Sequence, residues 1–301
     1  MSPLISSYSS MRLFKSVLLL AAAFCTACAT EPPVPVPPPK IALVLGGGAV
    51  RGFAHIGVLK SLQAQGIVPD MVIGTSAGSI AGALFAAGYS GYDLQRIAFD
   101  LDKATVADVT LFGKGLLKGE ALQSFINKTA GGKNIEDLKL PFACVATRLD
   151  TGEAVLFQRG NVGIAVRASS AVPGIFQPVV INGVEYVDGG LVSPVPVRFA
   201  RQMGADFIIA VDVSTPPAKD PSTGKVDILM RSYDIMGKSI RALELNQADV
   251  LIQPELGGVN ASDLEGKHLA ILEGEKAAQA AMPIIQEKLR ARRVNLLPAI
   301  R

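Results

Sequence analysis

Met71-Val72-Ile73-Gly74-Thr75-Ser76-Ala77-Gly78 is an apolar run that ends in Gly-x-Ser-x-Gly. The small, apolar stretch Ser79-Ile80-Ala81-Gly82-Ala83-Leu84-Phe85-Ala86-Ala87-Gly88 follows it. Together they predict a buried strand, a tight turn with Ser76 at its apex, and a helix packed against a sheet. The spacing has a steric reason. A residue at such an apex holds a strained backbone conformation, and Cβ atoms two positions either side would collide with the adjoining strand and helix. Gly74 and Gly78 have none, so strand and helix can approach closely. In a chain with 30 glycines the five-residue pattern also arises by chance. Its meaning rests on the strand before and the helix after.

A second unit of the same kind lies upstream. Ile41-Ala42-Leu43-Val44-Leu45 reads as a buried strand, Gly46-Gly47-Gly48-Ala49-Val50-Arg51-Gly52 as a glycine-rich loop, and the segment from Phe53 as an amphipathic helix that Gly66 ends. A dinucleotide-binding loop would need G-x-G-x-x-G and an acidic residue at the end of the next strand. Here Gly46, Gly48 and Gly52 are spaced one residue too long, and the nearest acid, Asp70, precedes that strand. The better reading is an oxyanion hole. Consecutive glycines can aim backbone N–H groups at one spot, and the adjoining helix start adds partial positive charge. Two strand–turn–helix units this close predict an α/β fold with a mainly parallel sheet, the active groups gathering beyond the carboxyl ends of its strands.

The rest of the chain fits one domain over residues 40–301. Of 301 residues, 49% are hydrophobic and 18% charged, which predicts a globular body with a substantial core. A net charge of +3 with no Lys/Arg run argues against a nucleic-acid partner. Lys288, Arg290, Arg292, Arg293 and Arg301 read as a solvated helix face. Helices are expected over residues 92–101, 120–129, 161–171, 195–203, 227–246 and 264–292, and strands over 142–147, 153–157, 183–187, 207–213 and 250–252. The apolar connection over residues 110–117 reads either as cover for a greasy cleft or as ordinary loop packing.

The first 28 residues read as an export signal, with Met11 as an alternative start. Arg12 and Lys15 precede the apolar run over residues 16–24, which is shorter than the roughly 20 residues of a spanning helix. Cys25-Thr26-Ala27-Cys28 resembles a bacterial lipoprotein box with Cys28 as the acylated residue, although Cys25 stands where Leu is usual. Cleavage after Ala29 is the alternative. Residues 29–39 hold six prolines and read as a semi-rigid linker between anchor and domain. Ala29 after the cysteine, by resemblance to bacterial sorting rules, implies the outer membrane, facing the periplasm or the cell surface. Cys144 reads as a buried core residue.

A serine hydroxyl needs a base within hydrogen-bond reach. The chain has two histidines, His55 and His268. A Ser-Asp-His order would require His268, which lies in the charged segment Leu264-Glu265-Gly266-Lys267-His268. His55 sits just past the glycine loop and reads as a packing residue. Asp188 follows an apolar strand and precedes two glycines, where it reads equally as a base at a strand end and as turn chemistry.

In order along the chain, Gly46-Gly47-Gly48-Ala49-Val50-Arg51-Gly52, Gly74-Thr75-Ser76-Ala77-Gly78 and Asp188-Gly189-Gly190 resemble the patatin-like phospholipase family. They match its oxyanion loop, its nucleophile turn and its Asp-Gly-Gly/Ala motif, over about residues 40–215. The stretch Ala168-Ser169-Ser170-Ala171-Val172-Pro173-Gly174-Ile175-Phe176 resembles the segment such proteins carry before the aspartate. The resemblance implies a three-layer α/β/α sandwich and a Ser-Asp dyad that hydrolyses acyl esters of lipids through an acyl-enzyme. Ser76 would be the nucleophile, Asp188 the base, and Gly47, Gly48 and Arg51 the oxyanion region. No metal or organic cofactor is implied, and the partners are a phospholipid or other acyl-ester lipid and a membrane surface. Acyl transfer to another alcohol and lipid binding without turnover are the alternative functions.

Overall fold

The computed structural model describes residues 38–101, 117–215, 224–259 and 264–295. The expected signal, Cys28, most of the proline linker and residues 110–116 of the apolar connection lie outside the described residues. Among those described, no helix is long and apolar enough to cross a membrane.

The elements follow in chain order. β1 (Ile41–Leu45) leads through a 3₁₀ turn (Ala49–Phe53) into α1 (Ala54–Ala64). β2 (Met71–Thr75) leads into α2 (Ala77–Ala87), α3 (Gly91–Asp100) and α4 (Glu120–Thr129). Next come β3 (Phe142–Arg148), β4 (Ala154–Phe157), α5 (Val162–Ser169), β5 (Val179–Ile181) and β6 (Val184–Asp188). The chain continues with α6 (Val197–Gln202), β7 (Phe207–Val211), α7 (Lys225–Leu245), β8 (Val250–Ile252) and α8 (Lys267–Asn295).

Eight strands form one sheet in the order β5-β6-β3-β2-β1-β7-β8, with β4 also paired to β3. The five strands from β3 to β8 run parallel, while β4 and β6 are antiparallel to β3 and β5 is antiparallel to β6. The sheet is mixed, with a parallel centre.

Alternation along the strands makes the three layers. Leu43, Leu45, Val72, Phe142, Phe207 and Ile209 face one core, which α1, α2 and α8 cover. Ala42, Val44, Met71, Ile73, Ile208 and Ala210 face the other, against Val197, Phe199 and Ala200 of α6. Because side chains point to opposite faces with period two, the continuous apolar runs β1, β2 and β7 must be covered on both sides. Cys144 of β3 is buried in the first core. Lys288 and Arg292 are tied to Asp249, at 2.7 and 2.9 Å, so this part of the expected solvated face is pinned to the end of the sheet.

β1 pairs with β2 on one side and β7 on the other: the chain runs from β1 toward β2 and β3 and later crosses back to place β7 on the opposite side. In open parallel sheets ligands bind beyond the carboxyl ends at such a reversal. The glycine loop after β1 and the turn after β2 are both there.

Candidate active site

Ser76 occupies the turn between β2 and α2 at φ 53°, ψ −123°, outside the regions that non-glycine residues ordinarily adopt. The surroundings enforce this conformation. A Cβ on Gly74 would lie 2.5 Å from Gly78 O, and one on Gly78 would lie 2.1 Å from Leu45 O. The Ser76 N–H donates to Ser169 Oγ at 3.0 Å, and Ser79 Oγ donates back to Ser76 O at 2.6 Å. Thr75 Oγ1 donates to Ser193 O at 2.9 Å. Ser169 thus receives a definite place from the segment singled out before the aspartate.

Asp188 ends β6, opposite Ala146 of β3. Its main chain is held on both sides: its N–H donates to Ala171 O at 2.9 Å, and Thr147 Oγ1 donates to its carbonyl at 2.8 Å. Gly189 is required because a Cβ there would lie 2.1 Å from Val145 O. The carboxylate is fully buried. Oδ1 accepts from the Gly190 N–H at 2.7 Å and from the Tyr233 hydroxyl at 2.8 Å. Oδ2 has no hydrogen-bond partner among the described residues. Burial pushes the Asp188 pKa up to about 6, against the opposing pull of the Ser76 hydroxyl, the Gly190 N–H and Tyr233. Ser76 and Asp188 border the same small cavity.

The glycine loop departs from the expectation in detail. The Gly47 N–H, expected in the oxyanion region, donates to Pro194 O at 3.0 Å, and that of Gly46 to Val211 O at 3.0 Å. Arg51, also expected there, is buried and ties the loop to α7: Nε donates to Gly48 O at 3.3 Å, and Nη2 reaches both oxygens of Asp234 at 3.1 and 2.9 Å. Arg51 Nη1 also donates to Thr215 Oγ1. That leaves Gly48, whose N–H has no acceptor among the described residues. A Cβ on Gly48 would lie 2.6 Å from Val213 Cγ2, so close approach, and not backbone angle, selects glycine here. A Cβ on Gly47 would meet Ser76 Cβ at 3.3 Å, which places the loop directly against the serine.

Neither histidine joins the serine. His55 Nε2 donates to Gly46 O at 2.8 Å, and burial lowers its pKa to about 4, so it is a neutral ring bracing the loop. His268 is exposed near the start of α8, its ring 4.5 Å from that of Phe99.

Two cavities meet at Ser76. One, of about 280 Å³, is lined almost wholly by apolar groups, among them Val50, Phe53, Leu84, Phe125 and Phe176. The other, of about 40 Å³, is bordered by the ionisable side chains of Arg51, Asp188, Tyr233, Asp234 and Arg241, beside Gly48. A hydroxyl on a strained turn, a buried carboxylate and an apolar chamber thus meet at one end of the sheet of an α/β protein.

Residues 43–201 match the model of the patatin-like phospholipase family, and the chain belongs to that family. An uncharacterized NTE family protein of Mycobacterium tuberculosis is 35% identical over 208 residues, 68% of this chain and 58% of that protein. The human patatin-like phospholipase domain-containing protein 6 is 37% identical over 191 residues, 61% of this chain and 14% of that protein. The chain thus spans less than two thirds of these relatives. VipD from Legionella pneumophila shares the fold, with a TM-score of 0.58 at 14% identity over 83% of this chain and 67% of that one.

Tyr233, Asp234 and Arg241 went unmarked in the sequence. They lie on a helix legible only as amphipathic, beyond the residues that the family model matches. One of five tyrosines in such a helix carries no local signal.

Proposed function

We propose that this chain hydrolyses acyl esters of lipids, as a phospholipase A or lysophospholipase, through a Ser76–Asp188 dyad. The observation that carries the reading is the position of Ser76 between an apolar chamber and a small cavity bordered by Asp188. An acyl chain would enter the first, and the second holds the base. Family membership supports lipid acyl hydrolysis in general.

Oδ2 of Asp188 takes the Ser76 proton as Oγ attacks the ester carbonyl. The oxyanion forms beside the Gly48 N–H and the start of α2, where the helix dipole favours negative charge. Collapse of the intermediate breaks the ester C–O bond, and the proton passes from Asp188 to the leaving alcohol. Water then attacks the acyl-serine with Asp188 again as base, and the fatty acid leaves. A carboxylate near its ordinary pKa of 3.8 is a weak base, whereas one at about 6 is stronger and still ionised at neutral pH.

The test is covalent labelling by a fluorophosphonate, with mass-spectrometric analysis of products from a panel of phospholipids and lysophospholipids. Wild type is expected to take label on Ser76 and to release fatty acid, and Ser76→Ala to do neither. Failure of the wild type to label or release fatty acid would end the proposal.

We also propose export and lipidation at Cys28, with an outer-membrane location. The support is the charged and apolar start, the lipobox-like Cys25-Thr26-Ala27-Cys28 and the proline linker. Cys28→Ser should move the protein from the membrane to the soluble fraction. Wild type that is already soluble excludes the anchor.

A further inference from the structure

The dyad reading leaves one question open to structure: what makes a buried carboxylate present a single oxygen to the serine. A carboxyl group free to turn about Cβ–Cγ would offer either. Here two donors converge on one atom. The Gly190 N–H and the Tyr233 hydroxyl reach Asp188 Oδ1 at 2.7 and 2.8 Å, while Oδ2 is buried and unpartnered. Gly190 admits this arrangement, since a Cβ there would lie 2.8 Å from the Tyr233 hydroxyl oxygen and 3.0 Å from Oδ1.

The next residue of the same helix does a parallel task. Both carboxylate oxygens of Asp234 accept from Nη2 of Arg51, whose Nε donates to the carbonyl of Gly48. Consecutive side chains of α7 thus reach the base and the glycine loop. Both lie beyond residues 43–201, where the family match ends.

We propose that Tyr233 is a positioning residue for the base, locking Asp188 through Oδ1 so that Oδ2 alone faces Ser76, while Asp234 fixes the loop carrying Gly48 through Arg51. The inference rests on the dyad reading. Tyr233 is suited to the task because burial, with Asp188 beside it, holds its own pKa well above the usual range, so it remains a donor. Its hydrogen bond favours the ionised carboxylate and so opposes burial. The other ionisable groups lining the small cavity are Arg51, Asp234 and Arg241.

The test is Tyr233→Phe, which keeps the ring and removes the donor, beside Asp234→Asn and Asp188→Asn. Each is checked for folding by circular dichroism and assayed on a soluble short-chain ester from acid to alkaline pH. For Tyr233→Phe, kcat should fall about ten- to a hundredfold at little-changed KM, the loss expected for a hydrogen bond to a charged group. The acid limb of its kcat/KM profile should move up by about one pH unit, because the ionised base has lost a stabilising donor. Asp234→Asn should lower kcat without moving that limb. A Tyr233→Phe profile that stays on the wild-type limb reduces Tyr233 to packing and overturns the proposal, while the dyad stands if Asp188→Asn is inactive. Full activity in Asp188→Asn overturns both.

Discussion

Under the proposed dyad, function and stability pull against each other at one residue, Asp188. Burial raises its pKa from 3.8 to about 6, so the folded protein prefers the neutral acid while the proposed role as base needs the anion. The sign follows from linkage. A group whose folded pKa is raised contributes stability that is fully present below its unfolded pKa and is lost as pH rises through the folded one. The shift of about two pH units corresponds to about 3 kcal/mol, lost between roughly pH 4 and pH 6. Asp188→Asn keeps the shape and cannot ionise. It should therefore be more stable than wild type by up to about 3 kcal/mol at about pH 8, with no gain at about pH 4, and inactive at both. Urea unfolding at the two pH values measures this. An equal gain at both would show that ionisation is not the cause.

Elements differ in how much of their arrangement a sequence shows. β1, β2 and β7 were legible because a strand covered on both faces must be a continuous apolar run, and Gly46 and Gly74 mark the turns after β1 and β2. The serine turn was legible for the same local reason. β5 was not: Val179–Ile181 spans three residues and pairs with β6 alone. The site is split the same way. Ser76 and Asp188 sit in short motifs, whereas Tyr233 meets Asp188 only once α7 folds across the end of β6. Where the donors of Gly47 and Arg51 point is set by Pro194 and Asp234, far along the chain, and no local motif shows it. Close approach of helices is equally silent. A Cβ on Gly57 of α1 would lie 2.0 Å from Ile271 O, and one on Gly274 of α8 would lie 2.0 Å from Ala54 O. The two helices meet backbone to backbone, through glycines that read locally as ordinary members of amphipathic helices. That contact clamps the final helix against the one that follows the glycine loop.

At the scale of the whole molecule, the apolar chamber is assembled from pieces that no single motif contains. Val50 and Phe53 come from the turn after β1, Ala81 and Leu84 from α2, and Phe125 from α4. Phe176, from the segment before β5, completes that list. Its apolar lining beside Ser76 predicts that chain length is selected by fit, each buried methylene being worth about 0.8 kcal/mol. Ala81 offers the sharpest test. It is 8% exposed, lies one helical turn beyond Ala77 on α2, and borders the chamber but not the small cavity that holds Asp188. Ala81→Phe should fill part of the space while leaving the reacting groups in place. Its kcat/KM for a palmitoyl ester should fall at least about tenfold relative to that for a butyryl ester, since losing room for two or more methylenes exceeds 1.4 kcal/mol. Esterase assays on the two substrates give the ratio, and fluorophosphonate labelling reports whether Ser76 is still reactive. An equal loss on both esters with normal labelling would mean that the acyl chain lies elsewhere. An unchanged ratio would remove the chamber from the substrate path altogether.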